Sequence, residues 1–102
     1  MNIKNIRDAQ DWFEVLQTTT RTQTAIMTLE RGKSSGSKPK RHKNSDQVLL
    51  VLSGEVEGEI AGRVVTLRKG DVIVIPAGTK HKFTNRCASA AVTFNTYSPP
   101  EY

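Results

Sequence analysis

Cysteine occurs once in this 102-residue chain, tryptophan once and histidine only twice. The single thiol, Cys87, can form no internal disulfide, so core packing and backbone hydrogen bonds must hold the fold, as in a reducing compartment. No apolar run approaches the ~20 residues that a membrane-spanning helix needs. Met1 to Asp11 alternates charged residues with isoleucine and lacks the apolar stretch of a signal peptide. Two domains would each be too small to bury a core. A cytoplasmic protein with one domain over residues 1–102 is expected.

Charge is the first positive feature. Fifteen Lys and Arg against ten Asp and Glu give a net charge of +5. The excess is local. Residues 31–43 contribute Arg31, Lys33, Lys38, Lys40, Arg41 and Lys43 with no acid, whereas residues 1–30 carry −1 and residues 44–102 balance. A basic protein invites a nucleic-acid reading. This stretch contains no aromatic residue for base stacking, and no recognition helix is evident, so specific nucleic-acid binding is not expected.

The remaining pattern is that of strands. Val48–Leu52, Val64–Leu67 and Val72–Ile75 are short aliphatic runs, each followed by a glycine or proline signal. Glu55–Ile60 and Ala90–Tyr97 alternate apolar with polar residues, and Thr22–Leu29 reads as a further strand. Trp12–Thr18 fits a strand too, with a short helical turn within Asp8–Leu16 as the alternative. Ala61-Gly62 and Lys69-Gly70 supply tight turns. Pro76-Ala77-Gly78 suits a type I turn with proline second and glycine fourth. Gly32–Asn44 has no sizeable apolar residue and reads as an exposed loop. Six to nine short strands in this length imply an all-β antiparallel sandwich or barrel.

Residues 70–85 carry the most specific pattern: Gly70, Pro76, Gly78, His81 and Asn85 in the spacing G-x5-P-x-G-x2-H-x3-N. It resembles the second signature motif of the cupin superfamily at every position. The family's first motif, G-x5-H-x-H-x3-4-E-x6-G, is only partly matched upstream. With Gly54 as its last glycine, Gln47 stands in the glutamate position, His42 in the second histidine position and Lys40 in the first. An alternative register starts at Gly36 and makes Asn44 the second histidine position, but it shortens the following gap. The first register is preferred for that reason.

The resemblance implies a jelly-roll double-stranded β-helix. Residues 1–30 would form N-terminal strands, 31–46 the basic loop with the first motif, 47–97 the barrel core and 98–102 a tail. It also implies a metal site inside the barrel, for which this chain offers His42 and His81, with Gln47 as a third ligand through its carbonyl oxygen. Loss of the family carboxylate weakens such a site, and a metal-free pocket is the alternative. Zinc, nickel, copper, iron and manganese are not distinguished. Lys40, Asn44 and Phe83 are expected to line a pocket for a small polar or anionic metabolite, with Lys40 as a pocket cation. Met27, Trp12 and Phe94 are expected in the core or pocket wall. Other readings are a dioxygenase, isomerase or lyase using the metal, and partner binding through the 31–43 loop. A homodimer is implied by the habit of small cupins.

Overall fold

The computed structural model covers residues 1–102. After a single 3-10 turn at Ile6–Asp8 come eight strands: β1 (Phe13–Thr18), β2 (Gln23–Leu29), β3 (Asp46–Ser53), β4 (Glu55–Ile60), β5 (Arg63–Arg68), β6 (Val72–Ile75), β7 (His81–Thr84) and β8 (Ala91–Ser98). They form a five-stranded sheet in the order β1-β2-β8-β3-β6 and a three-stranded sheet in the order β5-β4-β7. Every paired neighbour is antiparallel. This is the all-β jelly roll implied by the motif, and Trp12–Thr18 resolves in favour of a strand. No helix is long and apolar enough to cross a membrane.

Side chains alternate across the strands, and one face of each sheet turns inward. The apolar core joins Met27, Leu29, Leu49, Val51, Val56, Leu67, Ile75, Phe83 and Ala91. A fully buried Leu, Ile, Val or Phe of this kind contributes about 2 kcal/mol relative to exposure. Two runs read as apolar strands contribute less than their composition suggests. β5 buries only Leu67, and β6 only Ile75. Phe94 lies on the outward face of β8, half-buried, and belongs to neither core nor pocket.

The motif residues have separable structural roles. The Pro76 turn is closed by the Thr79 N–H donating to the Pro76 carbonyl at 3.1 Å, with Gly78 third at φ +85°. Proline therefore comes first, not second, and the turn needs its glycine in the left-handed conformation, as a type II turn does. Gly54, at φ +76°, lies so close to the chain that an added Cβ would sit 2.6 Å from the Ala90 carbonyl oxygen. Asn85 is buried: its amide donates to the carbonyls of Leu29 and Ser89, and its oxygen accepts from the Cys87 N–H. It fastens the exit of β7 to β2.

Candidate functional site

One end of the barrel interior is polar. On β8 the inward residues Thr93, Asn95 and Tyr97 follow Ala91, and on β3 Gln47 precedes Leu49 and Val51. The buried amides form a chain whose direction is fixed from its lower end. The Thr93 hydroxyl donates to the Met27 carbonyl at 3.1 Å, and the Asn95 amide donates to the Thr93 carbonyl at 3.3 Å and hydroxyl at 3.0 Å. The Asn95 side-chain oxygen is thereby left to accept from Gln47 Nε2 at 2.9 Å. Gln47 then turns its own oxygen toward His42 Nε2, 3.1 Å away. No buried side-chain nitrogen or oxygen lacks a partner.

His42 is placed by the second motif. The Gly78 N–H donates to the His42 carbonyl, the Ala77 N–H donates to Asp46 Oδ1, and Lys40 and His81 exchange backbone hydrogen bonds. Thus the Pro76–Thr79 turn clips onto the loop before β3 and brings the two imidazoles to a centroid separation of 4.9 Å. The far nitrogen of His42, Nδ1, lies 3.1 Å from Glu101 Oε1. Both ring nitrogens of His42 thus face an oxygen partner.

His81 differs. Its Nδ1 donates to the Thr79 carbonyl at 2.9 Å, which leaves Nε2 as an acceptor. Burial holds its pKa below the usual 6.5; nearby His42 lowers it further, while the Thr79 hydrogen bond opposes both. Tyr97 is pushed well up, first by burial and then by Tyr102 and Glu101, so its phenol keeps its proton. Tyr102 is raised mainly by burial.

These groups border a cavity of about 260 Å³, with Lys38, Lys40, His42, Gln47 and His81 on its polar side and Phe13, Met27, Phe83, Tyr97 and Tyr102 among its walls. Lys40, His42, Gln47, His81 and Phe83 are therefore brought together. Asn44 is not. It is exposed and stands off the cavity lining, because a bend at Lys43 and Asn44 shifts the alternation so that Ser45 and Gln47 are the buried residues beyond it. The pocket role expected of Asn44 is withdrawn, and with it the register that starts at Gly36. Trp12 borders the cavity but is 55% exposed.

The cavity also has parts that were not anticipated. Tyr102 forms a wall, packing 4.8 Å from Phe13 and 5.1 Å from Tyr97 between ring centroids. Its segment is strapped down by Gln23, which accepts from the N–H groups of Glu101 and Tyr102 and donates to the Tyr102 carbonyl. Ser45 holds the same segment by donating to the Pro99 carbonyl at 2.6 Å. Asn95 and Tyr97 were accessible to the period-two pattern of β8; Glu101 and Tyr102 carried no signal.

A cupin domain model matches residues 25–97. The chain belongs to the cupin family. Among curated proteins, auxin-binding protein ABP19b of Prunus persica is 37% identical over 67 residues. That match covers 58% of this chain and 31% of the peach protein, so the chain spans about a third of that relative. Among solved structures, TT1209 of Thermus thermophilus aligns at TM-score 0.83 and 25% identity, covering 97% of this chain and 98% of that one. A "predicted oxalate decarboxylase" of Thermotoga maritima aligns at TM-score 0.77 and 21% identity, covering 84% and 77%. Such likenesses establish the fold.

The metal that cupins often hold can be tested against these donors. Both nitrogens of His42 face oxygens, Gln47 turns its oxygen to His42 and its amide to Asn95, and His81 Nε2 is the one imidazole nitrogen without a partner. No group of three or more His, Cys, Asp or Glu side chains is gathered to hold an ion. The residues do not fit a divalent metal in this arrangement.

Proposed function

We propose that this cupin binds a small anionic metabolite in the barrel cavity without a metal. The observation that carries the reading is the cavity's mixed lining. The exposed Lys38 and Lys40 border it, His81 presents a neutral acceptor, and Phe13, Phe83, Tyr97 and Tyr102 supply aromatic surface. Cationic groups at the mouth of a low-dielectric cleft concentrate anions. A volume of about 260 Å³ falls just below the ~300–1,000 Å³ of drug-sized clefts, which suits a metabolite of few heavy atoms. A metal-dependent dioxygenase, isomerase or lyase has no adequate donor set here.

A thermal-shift screen of sugar acids, sugar phosphates and short carboxylates tests the proposal. At least one should raise the melting temperature, as any ligand of the native state must. The shift should fall in the Lys38→Ala/Lys40→Ala double variant. No shift across the panel, or one indifferent to both lysines, sinks the reading. Self-association through the apolar outer face of the five-stranded sheet, in a cytoplasmic setting, completes the proposal.

A further inference from the structure

The C-terminal segment introduces one negative charge beside the site. Glu101 Oε1 is 3.1 Å from His42 Nδ1, and its other oxygen lies 3.2 Å from the Ser45 hydroxyl. The carboxylate stands behind His42, off the cavity lining, in a segment outside the matched residues 25–97. Gln23 and Ser45 fix that segment, so the charge has a definite position.

The polar groups that line the cavity differ in what they can offer a ligand. At the His42 end, both imidazole nitrogens are taken and Gln47 Nε2 is committed to Asn95. An anionic group placed beside His42 would meet no free imidazole or amide N–H, only the phenols of Tyr97 and Tyr102, and it would face a carboxylate 3.1 Å from the ring. Lys38 and Lys40, both exposed, add positive charge to the lining. His81, paired with Lys40 through the backbone, can only accept at Nε2, so it favours a neutral hydroxyl that donates.

We infer that Glu101 sets the ligand's charge: the cavity takes a hydroxylated single anion, held at Lys38 and Lys40, and rejects a second anionic group at the His42 end. The inference rests on the anion-binding reading and narrows it to hydroxy-monocarboxylates and similar mono-anions. Glu101 is a specificity residue that never touches the ligand. It acts by like-charge repulsion from a carboxylate fixed 3.1 Å from the His42 ring.

Isothermal titration of matched mono- and dicarboxylates tests this, using gluconate with glucarate, butanoate with succinate and benzoate with terephthalate. The wild-type protein should favour the mono-anion of a bound pair by about tenfold, the scale of one unfavourable charge contact. Gluconate should also exceed hexanoate, which lacks the hydroxyls. Glu101→Gln preserves the side chain's shape and should close the mono-to-di gap, whereas Glu101→Asp should keep it. Circular dichroism melts of both variants separate this switch from a loss of fold. Equal or tighter wild-type binding of dicarboxylates, or a gap unchanged in Glu101→Gln, overturns the assignment of Glu101 and leaves anion binding standing. Absence of binding by any probe to any of these proteins overturns both.

Discussion

The two faces of the five-stranded sheet invert the usual distribution of polarity. At one end of the barrel, Gln23, Gln47, Thr93 and Asn95 point inward and are buried, while their neighbours Val48, Leu50, Val92 and Phe94 point outward. The registers align Ile26, Phe94, Leu50 and Val72 in one row across β2, β8, β3 and β6. Val72 and Val74 are 59% and 58% exposed, whereas Ile26, beside the N-terminal segment, is 2% exposed. Apolar surface left in water invites a partner, and amides removed from water require mutual satisfaction. The inward face is thus suited to ligand chemistry and the outward face to association.

Breaking the inner face should have the largest effect. Asn95→Leu removes the acceptor of Gln47 Nε2 and the donor to Thr93, in a position with no solvent access. Stranding these groups should cost about 3 kcal/mol of unfolding free energy, read by urea denaturation. A loss below about 1 kcal/mol would show that the amide chain is dispensable. On the outer face, Val72→Glu should change folding by no more than about 1 kcal/mol, since the side chain is exposed. In sedimentation it should weaken self-association by about tenfold or more, by placing like charges opposite one another in the interface. A monomeric wild type, or a dimer indifferent to the substitution, removes the outer face as the interface.

The same contrast explains how much was legible in the sequence. Strand positions and the barrel followed from short aliphatic runs and from the motif Gly70–Asn85, because turn glycines and prolines act locally. His42, His81, Gln47, Lys40 and Phe83 converge because the motif spacing encodes a strand–turn–strand. Composition misleads about direction. Phe94 and Val72 look like core but face outward, and Asn95 looks like surface but is buried, since alternation identifies two faces without saying which is inside. Glu101 and Tyr102 were not legible at all. Their place depends on Gln23 and Ser45, 78 and 54 positions away from the atoms they hold.

His81 sharpens the comparison through pH. The unfolded chain has an ordinary imidazole near 6.5, and the folded chain holds it lower. Between those two values the unfolded state binds more protons, so stability rises with pH across the window and is lost as pH falls below about 6.5. Urea midpoints of wild type and His81→Gln, compared from about pH 5 to 7, should differ in slope, with the variant the flatter. Equal slopes would mean that burial does not disfavour the charged ring.

The smallest effect is also the most discriminating, because one isosteric exchange can be made on each face in opposite directions. Thr93→Val replaces a hydroxyl that donates to Met27 and accepts from Asn95, leaving shape almost unchanged. Its removal should cost about 1–2 kcal/mol, the net value of a buried hydrogen bond with a partner left short. Val74→Thr adds the hydroxyl where the side chain is 58% exposed and water can satisfy it. In the monomer it should change stability by no more than about 0.5 kcal/mol. Volume is conserved in both, so packing cannot account for a difference between them. If the two exchanges cost the same, the inward hydroxyl is not integrated into the amide chain, and the fixed direction from Met27 through Thr93, Asn95 and Gln47 to His42 loses its anchor.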